Sequence, residues 1–274
     1  VHKNHHHTLK RIQITATFKA SMLKNSLVLL LITGMMVLSC GKADKQKITI
    51  AAAANTQFAI RELITRFTEK TGLECELIIA SSGKLTAQIA EGAPFDIFLA
   101  ADMKYPEYIY KQGLAAEKPE IYAYGHLVLL NTEPAIDPKI DMILDPSVGK
   151  IALANPQTAP YGEATIQFLK NRRWFDSVEH KLVYGESISQ TNQFISTGAV
   201  SAGFTALSIV KANHLSGIGN WVLVPQQEHD PIEQGVVLIN RNGEKNKAAE
   251  KFYTYLLSDE AAKILEDFGY SKYE

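Results

Sequence analysis

The chain reads as an α/β protein of two lobes, each a sheet flanked by helices, with a cleft between them. Three observations predict this. Short apolar runs of strand length alternate with amphipathic runs of helix length, the pattern of open sheets covered on both faces. One apolar run, Ile121 to Asn131, is too long for an ordinary strand and carries a break at Tyr124-Gly125-His126, as a segment crossing between lobes does. A late polar, turn-rich stretch, Pro225 to Pro231, suits a return crossing.

The elements follow in order. Lys47 to Ala53 reads as a buried strand, Gln57 to Lys70 as an amphipathic helix ended by Gly72, and Leu73 to Ala80 as a second strand. A short helix from Lys84 to Glu91, the strand Asp96 to Ala100 and a helix near Met103 to Lys111 come next. After the crossing segment the pattern restarts with strand Lys150 to Ala154, helix Gly162 to Asn171, helix Ser189 to Thr197, and strands Val200 to Thr205 and Trp221 to Pro225. Strand Gln234 to Asn240 and helices Lys245 to Leu257 and Asp259 to Phe268 close the chain. The expected organisation is residues 47–125 with 232–274 in one lobe and 126–231 in the other.

Residues 1–39 hold Lys3, Lys10, Arg11, Lys19 and Lys24 and no acidic residue. Translation is expected to start at Met22, with Lys24 as the charged n-region, Leu27 to Val37 as an apolar core too short to span a membrane, and the end Val37-Leu38-Ser39-Cys40-Gly41. This is the pattern of a bacterial lipoprotein signal, with Cys40 acylated, 40–46 as a tether and the protein held on the periplasmic side of a membrane. An ordinary cleavage site with an incidental cysteine is the other reading. Each buried acyl methylene contributes about 0.8 kcal/mol to such an anchor.

Without those five cations the formal charge of -1 becomes about -6, so a basic nucleic-acid footprint is absent. His126, His180, His214 and His229 are scattered, and His5-His6-His7 lies in the leader, so no metal-ligand spacing exists. Cys75 is the only cysteine besides Cys40, which excludes an internal disulfide in the mature chain.

The chemistry concentrates in three polar stretches, each after a strand and before a helix: Asn55 and Thr56, Ser81 to Lys84, and Pro160-Tyr161-Gly162. A helix start presents unpaired N–H groups and the positive end of the helix dipole, so hydroxyls and amides there can receive an anion. Ligands of open α/β sheets sit at that end of the strands. Asn and Thr also serve as plain helix caps, and one serine of Ser81-Ser82 would do the same. Ser187-Ile188-Ser189 opens a further helix. Ser81 to Lys84 also spells S-x-x-K and Lys70-Thr71-Gly72 spells K-T-G, but in the wrong order for a serine acyl-enzyme and without S-D-N.

These residues resemble the periplasmic molybdate-binding proteins, the substrate-binding components of ABC transporters. The likeness runs from about Lys47 to Tyr270. It is carried by Lys47-Ile48-Thr49-Ile50-Ala51-Ala52-Ala53-Ala54-Asn55, by Ala80-Ser81-Ser82-Gly83-Lys84-Leu85 and by Gly92-Ala93-Pro94-Phe95-Asp96-Ile97-Phe98-Leu99-Ala100-Ala101-Asp102. Asn155-Pro156, Pro160-Tyr161-Gly162 and Phe268-Gly269-Tyr270 add to it.

The resemblance implies a type II periplasmic binding fold with a mixed sheet in each lobe, no catalysis and no cofactor. It also implies a monomer that delivers molybdate or tungstate to a membrane permease. Carried over by position, the ligand would be held by Asn55, backbone Ala54, Ser82, Tyr161 and the backbone N–H of Ile188. Many relatives have a tyrosine where this chain has Ala206, and often a small residue where it has Tyr161, which leaves one hydroxyl donor missing that Tyr161 could supply from the opposite side. Asn55 stands where many have serine. Sulfate, phosphate or an organic anion is the alternative ligand.

Overall fold

The computed structural model describes residues 47–133, 139–212, 217–240 and 246–272. The leader readings, including Met22, His5-His6-His7, Cys40 and the tether 40–46, lie outside the described residues. Among the described residues no helix is long and apolar enough to cross a membrane.

Two five-stranded mixed sheets build the two lobes. The first sheet contains β1 (Ile48–Ala53), β2 (Cys75–Ala80), β3 (Ile97–Ala100), β4 (Glu120–Gly125) and β10 (Ile232–Leu238), in the order β2-β1-β3-β10-β4. The second contains β5 (Leu127–Asn131), β6 (Ile151–Ala154), β7 (Leu182–Gly185), β8 (Ala202–Ala206) and β9 (Asn220–Leu223), in the order β7-β6-β8-β5-β9. In each, four strands run in one direction and one, β10 in the first sheet and β5 in the second, runs against them. The run read as one long strand is two strands in different sheets, with only His126 between β4 and β5.

Helices α1 (Gln57–Thr71), α2 (Ser82–Ala90), α3 (Lys104–Lys111), α8 (Lys247–Leu256) and α9 (Asp259–Asp267) flank the first sheet. Period-two geometry sorts its side chains. On β3, Ile97 and Leu99 pack with Leu63, Phe67 and Phe252 of α1 and α8, while Phe98 and Ala100 pack with Leu85, Ile89 and Ile109 of α2 and α3. Phe67 and Phe252 meet edge to face at 5.2 Å. Each such fully buried side chain contributes about 1.5–3 kcal/mol, which is why the strands read as unbroken apolar runs.

Helices α4 (Pro160–Asn171), α5 (Phe175–Val178), α6 (Ile188–Ser196) and α7 (Leu207–Lys211) belong with the second sheet, around Leu153, Phe168, Ile195 and Phe204. That core does not stop at the lobe. Ala53, Ala54 and Ala101 of the first lobe join the same buried cluster as Ala159, Tyr161 and Ile188 of the second.

Candidate functional site

The structure brings the five positions named from sequence to one place. Ala54 and Asn55 form a short 3-10 turn leading into α1, Ser82 is the first residue of α2, Tyr161 the second of α4, and Ile188 the first of α6. All five are buried, none above 3 % exposed. Across the lobes, the Gly83 N–H donates to the Thr158 carbonyl at 2.9 Å, and the Tyr105 hydroxyl donates to the Gln157 carbonyl at 3.2 Å. The α2 start is thereby pressed against the loop that opens α4.

Helix starts elsewhere show what is unusual here. Asn246 caps α8 by accepting from the N–H groups of Ala248 and Ala249, and Ser258 caps α9 by accepting from that of Ala261. By contrast, the residues preceding the 3-10 turn, α2 and α4, namely Ala53, Ser81 and Ala159, make no side-chain cap bond. At α6, Ser187 accepts from Gln190 at a long 3.5 Å, leaving the N–H groups of Ile188 and Ser189 outside the cap. Buried helix starts normally satisfy their first N–H groups, so uncapped, buried starts converging from two lobes are able to receive an anion.

The plain-cap reading of Asn55 is excluded. Its side-chain amide donates to Gln234 Oε1 at 2.7 Å and to the Tyr270 hydroxyl at 3.1 Å, and Thr56 Oγ1 donates back to the Ala53 carbonyl. Both amide hydrogens of Asn55 are therefore spent on Gln234 and Tyr270. What the residue retains for a ligand is its backbone N–H, not the amide donor the sequence suggested. Ser82 differs. Its Oγ accepts from the Ala101 N–H at 3.0 Å, which leaves its own hydrogen free and more acidic for a further acceptor.

The Tyr161 hydroxyl lies at the crossing from β4 to β5, where a Cβ added to Gly125 would sit 2.2 Å from it, so only glycine admits the phenol there. The hydroxyls of Tyr161 and Tyr122 are buried without a hydrogen-bond partner among the described residues. Burial pushes the Tyr161 phenol far up, with the Tyr270 and Tyr122 phenols adding and Asn55 opposing. Tyr122 is raised by burial and by Tyr270, against Thr56. Both remain neutral donors. At the second lobe Ala206 is fully buried at the end of β8 and offers no hydroxyl.

The charged side chains at these helix starts, Lys84 and Glu163, reach the surface. Lys84 is exposed and sits 3.9 Å from Glu186, which removes it from any S-x-x-K role with Ser81. Among the described residues no group of three or more His, Cys, Asp or Glu side chains is arranged to hold a metal ion. Sequence reasoning missed Gln234, Ser208 and Tyr122. The one available signal was Gln234, an amide inside the apolar run that forms β10.

The chain matches the model of the bacterial extracellular solute-binding proteins over residues 48–271. It is 36% identical over 226 residues to the molybdate-binding protein ModA of Rhodobacter capsulatus, covering 82% of this chain and 88% of that one. It is 34% identical over 240 residues to the ModA of Azotobacter vinelandii, covering 86% and 94%. The solved periplasmic molybdate-binding protein of Azotobacter vinelandii superposes with a TM-score of 0.77 at 29% identity, over 83% of this chain and all of that one. The chain belongs to the bacterial extracellular solute-binding proteins and, within them, to the family of the molybdate-binding protein ModA.

Proposed function

We propose that this protein captures molybdate, and tungstate with it, on the periplasmic side of the membrane and delivers the ion to an ABC-type permease. The observation that carries the reading is the set of buried, uncapped helix starts at Ala54, Ser82 and Pro160, facing one another across the lobes, while the charged residues of these first turns, Lys84 and Glu163, reach the surface and pair with Glu186 and Lys104. Relatives named as molybdate-binding supply the ligand's identity. The proposed donors are the backbone N–H groups of Ala54, Asn55, Tyr161 and Ile188 and the hydroxyl of Ser82.

The chemistry suits a dianion. Carboxylates would repel it, whereas neutral donors at four helix ends carry partial positive charge and need no proton transfer. Charge-assisted hydrogen bonds contribute about 1.5–3 kcal/mol each. Five to seven of them, less desolvation and ordering, reach roughly -8 to -12 kcal/mol, or micromolar to nanomolar affinity. Sulfate has the same charge and shape, so discrimination rests on cavity size, and tungstate is accepted because it is nearly the same size as molybdate. Residues 47–125 with 232–274 and residues 126–231 act as the two bodies, hinged near His126 and at 225–231, whose closure makes the surface the permease reads. Cys40 carries the lipid that keeps the protein, a monomer, at the membrane.

Calorimetric titration with molybdate, tungstate, sulfate and phosphate tests the reading. The two larger oxyanions should bind tightly and raise the melting temperature, and Ser82→Ala should weaken binding about tenfold or more. Equal stabilisation by sulfate and phosphate would assign another anion. Labelling of Ser81 by a fluorophosphonate would turn the answer to an acyl-enzyme.

A further inference from the structure

The hydrogen bonds behind the site form one connected chain with Gln234 at its centre. Gln234 Oε1 accepts from the Asn55 amide at 2.7 Å, and its Nε2 donates to the Ile232 carbonyl at 3.0 Å and weakly to the Ala101 carbonyl at 3.4 Å. Two carbonyls on one side and an amide donor on the other leave Gln234 a single orientation. The next link is the Ala101 N–H, which donates to Ser82 Oγ at 3.0 Å. Asn55 and Ser82, from loops far apart in sequence, are thus tied through one side chain that is fully buried.

The chain continues into the second lobe. The second Asn55 amide hydrogen goes to the Tyr270 hydroxyl at 3.1 Å, Tyr270 donates to Ser208 Oγ at 3.1 Å, and Ser208 donates to the Asn55 carbonyl at 2.8 Å. This ring closes on itself, and each bond polarises the next in a dry environment. Ser208 lies on α7 of the second lobe, whereas Gln234 lies on β10, the strand that returns the chain to the first sheet.

We propose that Gln234 is a positioning residue that sets the placement of the Asn55 and Ser82 loops relative to each other, and that Tyr270 and Ser208 extend this setting across the lobes. The inference rests on the oxyanion reading above. Donors held to within a fraction of an ångström keep a cavity at the size of one anion, so the network governs selectivity as well as strength.

A double-mutant cycle decides it. Molybdate titrations on the wild type, Gln234→Leu, Ser82→Ala and the double variant should show at least a tenfold loss for Gln234→Leu, mostly as faster release. The preference for molybdate over sulfate should narrow, and Ser82→Ala should cost less in the Gln234→Leu background than in the wild type. A residue that only supports the fold lowers the melting temperature of the free protein and leaves the two losses additive, and additivity overturns the proposal. Should Gln234→Leu fail to fold, Tyr270→Phe and Ser208→Ala remove single hydroxyls, and release from each should quicken several-fold. Unchanged release in both overturns the proposal equally. A wild type that ignores molybdate sinks the functional reading and this inference with it, whereas a wild type that binds while the cycle is additive sinks this inference alone.

Discussion

Gly162→Ala separates helix stability from site geometry, because the two respond with opposite sign. Gly162 is the third residue of α4. In a free helix the change to alanine is favourable by about 1 kcal/mol. Here a Cβ would lie 2.1 Å from the Ala154 carbonyl oxygen, 2.7 Å from its carbon and 3.0 Å from the Asn155 carbonyl carbon. All three are backbone at the end of β6, so no side chain can rotate away. To regain van der Waals distance the start of α4 must withdraw by about 1 Å. Overpacking of this kind costs about 1–3 kcal/mol, against the helix gain, so the net loss of stability should be roughly 0–2 kcal/mol.

The affinity should suffer more. Tyr161 is the adjacent residue, and a bond of ordinary length stretched by about 1 Å is no longer a hydrogen bond. Losing one charge-assisted bond, about 1.5–3 kcal/mol, weakens binding roughly tenfold to a hundredfold or more. The assays are the melting temperature of the free protein and calorimetry with molybdate. Wild-type affinity in Gly162→Ala would refute the reasoning, since the proposed Tyr161 N–H donor would then be either unmoved or unused.

Other expectations are smaller. The Asp102 carboxyl is pushed up to about 6, mainly by burial, with Glu163 and Glu233 adding and the Tyr105 N–H and Lys104 opposing. The fold therefore favours its neutral form: its contribution to stability is full below about pH 4 and is lost as pH rises through about 6. Asp102→Asn should raise the melting temperature at pH 8 by a few degrees and leave it unchanged at pH 4, and a pH-independent difference would contradict the assignment. The Lys104–Glu163 pair spans the lobes at 3.4 Å, but its side chains are 61% and 45% exposed. Glu163→Gln should change molybdate affinity by less than about fivefold, and a larger loss would mean the pair does more than a surface ion pair does. Burial pushes the Cys75 thiol up to about 12. Iodoacetamide at pH 8 should label it slowly in the native protein and quickly in denaturant, and equal rates would show that the native thiol is open.

Inner strands such as β1, β3, β5, β6 and β8 were legible because each is buried on two faces and so forms an apolar run. The exceptions have physical reasons. β7 is a four-residue strand with Tyr184 exposed, too short and too mixed to stand out, and α7 follows β8 with no intervening turn. Helices α2 and α4 begin at Ser82 and Pro160, two residues before the apolar periodicity that marked them at Lys84 and Gly162. Proline at the first helical position was the available signal for α4. The direction of the Asn55 amide was not legible, since its partner Gln234 lies 179 residues away.

That last failure follows from the kind of site proposed here. Every residue but proline has an N–H, so a site built on backbone donors leaves little trace in the identity of the residues that touch the ligand. Its information lies instead in residues that fix where the backbone runs. Gly162 lets α4 close onto β6, Gly125 admits the Tyr161 phenol at the hinge, and Gln234 ties the first two loops together. On this argument the hydroxyl absent at Ala206 needs no side-chain replacement, because the remaining donors are backbone N–H groups. Substitutions at these hidden positions, rather than exchanges of the side chains nearest the ion, are where the size of the cavity and hence the choice between oxyanions is set.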